Sequence, residues 1–167
     1  MLSNPASDVV LSVTDVVTQF DTADGTVHAV NGVSFDVREG ELLGVVGESG
    51  CGKTVTMMSL VKLLPMPPAK IVGGSALFEG KDLIQADINT LQKIRGGRIG
   101  FIFQDPMTSL NPVLTVGYQL TEALRLHKHV SKSAARQRVV ELLELVGIPM
   151  AKNRLDDYPH QFSGGMR

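Results

Sequence analysis

The sequence predicts an α/β fold in which an antiparallel β layer comes first, a strand–loop–helix unit follows, and a helical segment ends the chain. Three observations support this order. Residues 9–37 read as two strands on either side of an Asp24-Gly25 turn. Residues 41–64 change from an apolar run, through a glycine-rich loop, to helical apolar spacing. Residues 116–146 read as helices.

The antiparallel layer is predicted to contain the strands Val9–Phe20 and Val27–Val37. Val33, Phe35 and Val37 alternate with polar residues, as expected for a strand with one buried face. The first strand is interrupted in its middle, where the alternation fails. A further short strand is predicted at Ser75–Phe78.

The strand–loop–helix unit is organised around the segment Gly47–Thr54, which fits the P-loop pattern G-x-x-x-x-G-K-[ST]. Before it, Glu41–Val46 is a short apolar segment typical of a buried parallel strand. After it, Val55–Leu64 has helical spacing and is stopped by Pro65. This context favours a triphosphate site over the alternative, a glycine turn with a solvated lysine.

The residue types of the loop suit phosphate binding. Glycines allow close backbone approach to a ligand, and free N–H groups meet the positive end of a helix. Lys53 can reach the β- and γ-phosphates, and the Thr54 hydroxyl can bind Mg²⁺. The nucleotide-binding candidates here are Gly47, Glu48, Ser49, Gly50, Cys51, Gly52, Lys53, Thr54 and Thr56. For Cys51 we favour a small residue that fits the loop over a reactive thiol, and we assign it no catalytic role.

Further elements follow the P-loop helix. A short helix is predicted at Asp87–Arg95, and Ile99–Phe103 is a second apolar strand that ends at Gln104. A helix is predicted at Val116–Lys128, and Ser131 can cap the next one. One face of that last helix carries Ala135, Val139, Leu142, Leu143 and Val146.

Composition restricts the class of protein. The chain has 167 residues, with 16 Lys and Arg against 17 Asp and Glu, so no basic excess favours a nucleic-acid surface. One cysteine is consistent with a reducing compartment. No apolar stretch approaches the roughly 18 continuous residues of a membrane span, and the first residues do not read as a secretory signal. These features predict a cytosolic domain.

Three motifs in this order resemble those of ABC-transporter ATPase subunits: Gly47–Thr54, Ile102–Pro106 and Phe162–Met166. They resemble the Walker A, Q-loop and signature motifs. The subgroup that is most similar comprises the dipeptide, oligopeptide and nickel importers, because Phe103–Pro112 and Tyr158–Arg167 look like its sequences. The resemblance implies a P-loop NTPase core of the ABC type, with an inserted α-helical subdomain. It divides the chain into residues 1–104 (β layer and ATP-binding core) and 105–167 (helical subdomain).

The resemblance also implies roles for individual residues. Lys53 and Gln104 would be catalytic, with Gln104 contacting Mg²⁺ and the attacking water and coupling the nucleotide to membrane subunits. Ser163, Gly164 and Gly165 would bind the γ-phosphate of ATP held by a second ATPase subunit in a head-to-tail dimer. Phe20 would stack on adenine. The implied cofactors are ATP and Mg²⁺.

The implied function is ATP hydrolysis that energises peptide import. The implied location is the cytoplasmic face of the membrane, against permease subunits and, indirectly, a solute-binding protein. Position 166 is Met where most signatures have Gln. The family's Walker B Asp, catalytic Glu and switch His have no counterparts, so we expect the N-terminal part of a longer subunit, truncated before the Walker B strand. Two alternatives stay open: a module that binds nucleotide without turnover, and a soluble ABC ATPase of DNA repair or translation.

Overall fold

The structure is a computed structural model that describes residues 8–103, 109–128 and 130–167. It contains two compact units, Met1–Gln92 and Lys93–Arg167. The sequence-based division at residues 104 and 105 stays a prediction. Among the residues that the structure describes, no helix is both long and apolar enough to cross a membrane.

The first unit is built on an antiparallel sheet with the strand order β2-β1-β3-β4. This confirms the predicted antiparallel layer. Its first two strands pair as a long hairpin around Gly25, and the predicted irregularity lies at Asp15, which has a φ of 47°. The strands are β1 (Val9–Thr22), β2 (Gly25–Arg38), β3 (Ala69–Phe78) and β4 (Lys81–Asp82).

The helix that follows the P-loop is α1 (Lys53–Leu60), which is shorter than the predicted Val55–Leu64 at its C-terminal end. The helix stops because Lys62 adopts a left-handed conformation, with a φ of 49°. The Leu63 N–H then donates to the Met58 carbonyl at 2.9 Å, a bond that closes the last turn. The buried side chains of the first unit include Val13, Val16, Val30, Leu60, Ala69, Ala76, Leu83 and Leu91.

The prediction of two apolar core strands, Glu41–Val46 and Ile99–Phe103, was wrong for the chain as observed. Neither segment forms a ladder with any described residue, and Ile99 makes only a single bridge, to Arg95. Leu42 and Ile102 are each 97% exposed. A strand needs a neighbour that satisfies its N–H and C=O groups, so apolar composition alone does not produce one.

The second unit is helical. The prediction of a helix at Val116–Lys128 is confirmed, and so is the Ser131 cap, whose hydroxyl accepts from the Ala134 N–H at 3.2 Å. Val146 was placed wrongly on the predicted helix face: it is 71% exposed, because the helix already ends at Leu145. The helices are α2 (Ile88–Ile94, which crosses the unit boundary), α3 (Val116–Lys128), α4 (Lys132–Leu145) and α5 (Ala151–Arg154). The core contains Val116, Val139, Leu143, Ile148, Ala151, Leu155 and Phe162.

Candidate nucleotide site

Two of the P-loop glycines, Gly47 and Gly52, leave little room for a side chain, and both have a positive φ. Gly52 begins α1 with a φ of 94°, and a Cβ there would lie 2.5 Å from the Ala29 carbonyl oxygen. A Cβ on Gly47 would lie 2.8 Å from the Cys51 sulfur. The backbone contact closes position 52 to larger residues, so Gly52 fixes the start of α1 against strand β2, whereas at Gly47 the Cys51 side chain would have to move.

Lys53 is the first residue of α1, and its side chain folds back over the loop. Its Nζ donates to the Gly47 and Glu48 carbonyls, at 2.7 Å each, and lies 3.5 Å from the Cys51 sulfur. An ammonium group has three donors, and sulfur is a weak acceptor. A phosphate oxygen would be a much stronger partner for that third donor. The loop thus holds a positive charge at the position where a triphosphate would bind.

The two threonines of α1 are used differently. The Thr54 side chain is exposed, and its hydroxyl has no hydrogen bond to any residue that the structure describes. Thr56 is only 6% exposed, and its hydroxyl donates to the Gly52 carbonyl at 2.9 Å. Thr54 is therefore available to a ligand, whereas Thr56 stabilises the end of the loop.

A magnesium ion would fit this site through the Thr54 hydroxyl. No group of three or more His, Cys, Asp or Glu residues could hold a metal ion in the described part of the chain. A P-loop site does not need such a group, because phosphate oxygens and water supply most of the magnesium ligands. Hard oxygen donors are the right chemical type, and Thr54 provides one.

Phe20 lies near the tip of the β1–β2 hairpin and is half-buried. It is two residues from Thr18, whose hydroxyl is 2.9 Å from that of Ser59 in α1. Side chains two apart on a strand share a face. Phe20 therefore lies on the face of the sheet that packs against the P-loop helix, within the same unit as Lys53.

Gln104 lies outside the described residues. The segment Ser163–Gly165 belongs to the second unit, where its residues are exposed and open space surrounds both glycines. Gly164–Met166 forms a single 3₁₀ turn, and the Ser163 side chain makes no capping hydrogen bond to it.

Phe162 anchors the exposed Ser163–Gly165 segment. Phe162 is 4% exposed in the helical core, and the Arg154 guanidinium lies 5.4 Å from its ring centroid. Arg167 Nε donates to the Phe162 carbonyl at 3.0 Å. The cation–π contact with Arg154, the hydrogen bond from Arg167 and the buried ring together position this short glycine segment at the surface.

Some contributors to the site could not be found from sequence. The Ala29 carbonyl that contacts the P-loop is a backbone group, so no residue type signals it. The Arg154 guanidinium lies over the Phe162 ring, a contact between residues in different elements that local patterning does not reveal. Beside the hairpin tip, a hydrogen bond from Lys70, together with its charge, lowers the pKa of the Asp21 carboxyl; the two groups are 2.5 Å apart.

Comparison with known proteins gives consistent matches. The ABC transporter family matches residues 30–167. The chain is 54% identical over 157 residues to the oligopeptide transport ATP-binding protein OppD of Bacillus subtilis (strain 168), covering 94% of this chain and 44% of OppD. It is 56% identical to the dipeptide transport ATP-binding protein DppD of the same organism, covering 95% and 47%. The chain thus spans about half the length of these curated relatives.

A solved structure agrees with these matches. The ATP-binding cassette MJ0796, in a dimeric post-hydrolysis state bound to ADP and Pi, aligns with a TM-score of 0.79 and 25% identity. The alignment covers 93% of this chain and 64% of that one. The predicted P-loop NTPase fold with an N-terminal antiparallel layer is confirmed.

Proposed function

Because this chain belongs to the ABC transporter family, we propose that it binds ATP and Mg²⁺ at its P-loop and serves in the ATP-hydrolysing subunit of a peptide importer. The observation that carries the proposal is the position of Lys53. Its ammonium group donates to the Gly47 and Glu48 carbonyl oxygens at 2.7 Å each, which holds the charge over the glycine loop at the N-terminus of α1. The peptide cargo is inferred from the names of OppD and DppD.

The chain's residues would act mainly by positioning and by electrostatic stabilisation. Lys53 would hold the β- and γ-phosphates and offset charge that develops on the γ-phosphate during transfer. Thr54 would hold Mg²⁺, which when bound neutralises phosphate oxygens. Gln104 would orient the attacking water. The exposed backbone N–H groups of Ser163–Gly165 would face the γ-phosphate of ATP on a second subunit.

This arrangement implies partners. Two ATPase subunits would associate head to tail, because the signature segment of each would complete the P-loop site of the other. Permease subunits would bind them at the cytoplasmic face of the membrane, with a solute-binding protein acting from the other side. We retain residues 1–104 and 105–167 as the proposed core and helical subdomain.

A second candidate is nucleotide binding without turnover by these 167 residues. It is favoured by the sequence, in which no apolar strand ends on an acidic pair. The soluble ABC ATPases of DNA repair or translation are less favoured, because the curated relatives compared above are transport proteins.

The experiment is to measure ATP turnover over a range of chain concentrations, in parallel with fluorescent-ATP binding, for the parent and for Lys53→Ala. Turnover that rises faster than linearly with concentration and is lost in Lys53→Ala would support hydrolysis by a pair of chains. Lys53-dependent binding without turnover would support the second candidate. Binding that is unaffected by Lys53→Ala would contradict both.

A further inference from the structure

We propose that a cavity between helices α3 and α4 binds a short peptide through the opposite charges of its two ends. The cavity lies within the second unit and uses no residue of the P-loop. Its volume of about 540 Å³ is within the range of roughly 300–1,000 Å³ that is typical of small-molecule sites. Three features lead to the proposal: a wall that backbone contacts hold in place, a buried hydroxyl, and the charges of the lining.

The first feature is the wall, which joins α3, α4 and the segment that follows α5. The Gly117 N–H donates to the Leu155 carbonyl at 2.8 Å. Only glycine allows this approach, because a Cβ at position 117 would lie 2.5 Å from that carbonyl oxygen. The next residue, Asp156, is bound to α4, since the Arg136 guanidinium donates to its two carboxylate oxygens at 3.2 and 2.7 Å. The cavity is thus built without a ligand, which lowers the cost of binding one.

The second feature is the Thr121 hydroxyl. Thr121 lies on α3 in the lining of the cavity and is only 9% exposed. Its hydroxyl makes no hydrogen bond to a residue that the structure describes, yet no polar side-chain atom among those residues is both fully buried and unsatisfied. The hydroxyl is therefore reached from the cavity. A ligand that supplies a hydrogen-bond partner there gains affinity, because a poorly solvated polar group is costly to leave unpaired.

The third feature is the charge of the lining. Glu122 and Arg125 lie one turn apart on α3, and Lys132 is the first residue of α4. None of these three side chains forms an ion pair with a residue in the described part of the chain. The Arg136 guanidinium, by contrast, is already neutralised by Asp156. Within the described lining, one acidic and two basic side chains are therefore available to a ligand.

These charges suit a ligand that carries both an ammonium group and a carboxylate. Glu122 would accept hydrogen bonds from the ammonium group, while Arg125 and Lys132 would donate to the carboxylate. The Thr121 hydroxyl would bond to the peptide group between the two ends. Tyr118, which is 54% exposed, offers its ring to an apolar side chain. A simple anion would be repelled by the acid, and a simple cation would meet two like charges.

The choice of a peptide rather than a free amino acid rests on the proposed function, whereas the charge pattern does not depend on it. A peptide importer delivers short peptides to the side of the membrane on which its ATPase subunit would lie. Binding at the helical subdomain would let that subunit respond to peptide that has already been imported.

The test measures dissociation constants by isothermal titration calorimetry in the absence of nucleotide. The probes are the dipeptide alanyl-phenylalanine, the same dipeptide acetylated at its N-terminus or amidated at its C-terminus, and the amino acid phenylalanine. The variants are Glu122→Gln and Arg125→Gln, each of which removes one charge from an exposed side chain. Arg138→Gln is the matched control, because Arg138 lies on α4, has a side chain that is 56% exposed and does not line the cavity.

We expect the parent chain to bind the free dipeptide and to bind either blocked form about fivefold more weakly. In Glu122→Gln, acetylation should make no further difference, because the partner of the ammonium group is gone, while amidation should still weaken binding. Arg125→Gln should reduce the effect of amidation alone. Arg138→Gln should bind all four probes as the parent does.

Four results would overturn the inference: no binding of the free dipeptide by the parent, equal binding of the blocked and free forms, equal binding of phenylalanine and the dipeptide, or weakening by Arg138→Gln as large as that by Glu122→Gln. Binding of MgATP, titrated separately, tests the proposed function through P-loop residues that these variants leave intact. Loss of one binding activity without the other therefore identifies which of the two proposals fails.

Discussion

Gly52→Ala is the substitution for which the structure predicts the clearest energetic effect. The new Cβ would have to occupy a backbone conformation with a φ of 94°, at a cost of about 1–2 kcal/mol. It would also lie 2.5 Å from the Ala29 carbonyl oxygen, so the start of α1 must move away from β2. Overpacking of this kind costs about 1–3 kcal/mol. The free energy of unfolding should therefore fall by about 2–5 kcal/mol.

Gly80→Ala is the matched control. Gly80 also has a positive φ, of 78°, but a Cβ there would meet no atom within 4 Å. Both substitutions reduce the freedom of the unfolded chain in the same way, so that effect cancels in the comparison. Gly52→Ala should be less stable than Gly80→Ala by the steric contribution alone, about 1–3 kcal/mol.

The assay is urea unfolding of the two variants and the parent, followed by circular dichroism. Gly52→Ala should also lose ATP affinity, because the N-terminus of α1 shifts, whereas Gly80→Ala should keep it. Equal losses of stability in the two variants would refute the reasoning, since the contact between Gly52 and Ala29 would then make no energetic difference.

Three further predictions concern contacts in the two units. Thr18→Val removes a buried hydroxyl contact but leaves Ser59 donating to the Val55 carbonyl at 2.7 Å, so we expect a loss of only about 1 kcal/mol in urea unfolding. Phe162→Ala empties a site in the helical core and should cost about 3–5 kcal/mol in the same assay, with faster proteolysis near Ser163. A hydrogen bond from Arg136, together with its charge, lowers the pKa of Asp156 below its ordinary value near 3.8. This pair therefore stabilises the fold above that pH, and the difference between the parent and Asp156→Asn should disappear as the pH falls below it.

Each of these predictions has a contrary outcome. If Thr18→Val loses much more unfolding free energy than about 1 kcal/mol, the substitution has left the Ser59 hydroxyl without a hydrogen-bond partner. Phe162→Ala with parental stability would mean that the ring does not anchor the Ser163–Gly165 segment. A stability difference for Asp156→Asn that persists at pH 2, or that is unaffected by 1 M salt, would mean that the effect is not the exposed ion pair.

The sequence predicted those parts of the fold whose stability is local or comes from the nearest neighbours along the chain. The β1–β2 hairpin follows from alternation and the Asp24-Gly25 turn, and α3 and α4 follow from helical spacing and the Ser131 cap. The P-loop was predictable because its glycines and lysine have a fixed spacing. Elements that need distant partners were not predictable in the same way.

Residues 41–46 and 99–103 show why. Their apolar composition is typical of buried strands, yet a ladder needs a second strand, and composition does not say whether one is present. The face that Val27 occupies could not be predicted for another reason. Its face depends on a one-residue bulge at Ala29, and a shift of one residue exchanges the two faces of a strand.

The most direct test of the central claim is equilibrium binding of MgATP to the parent chain, to Lys53→Ala and to Lys81→Ala. The two variants lose the same charge in the same unit, but only Lys53 lies over the loop, 2.7 Å from the Gly47 and Glu48 carbonyls. Saturable binding that weakens at least about tenfold in Lys53→Ala and is unchanged in Lys81→Ala is the predicted result. Equal affinities for all three proteins, or no binding by the parent, would contradict the assignment of the P-loop as the nucleotide site.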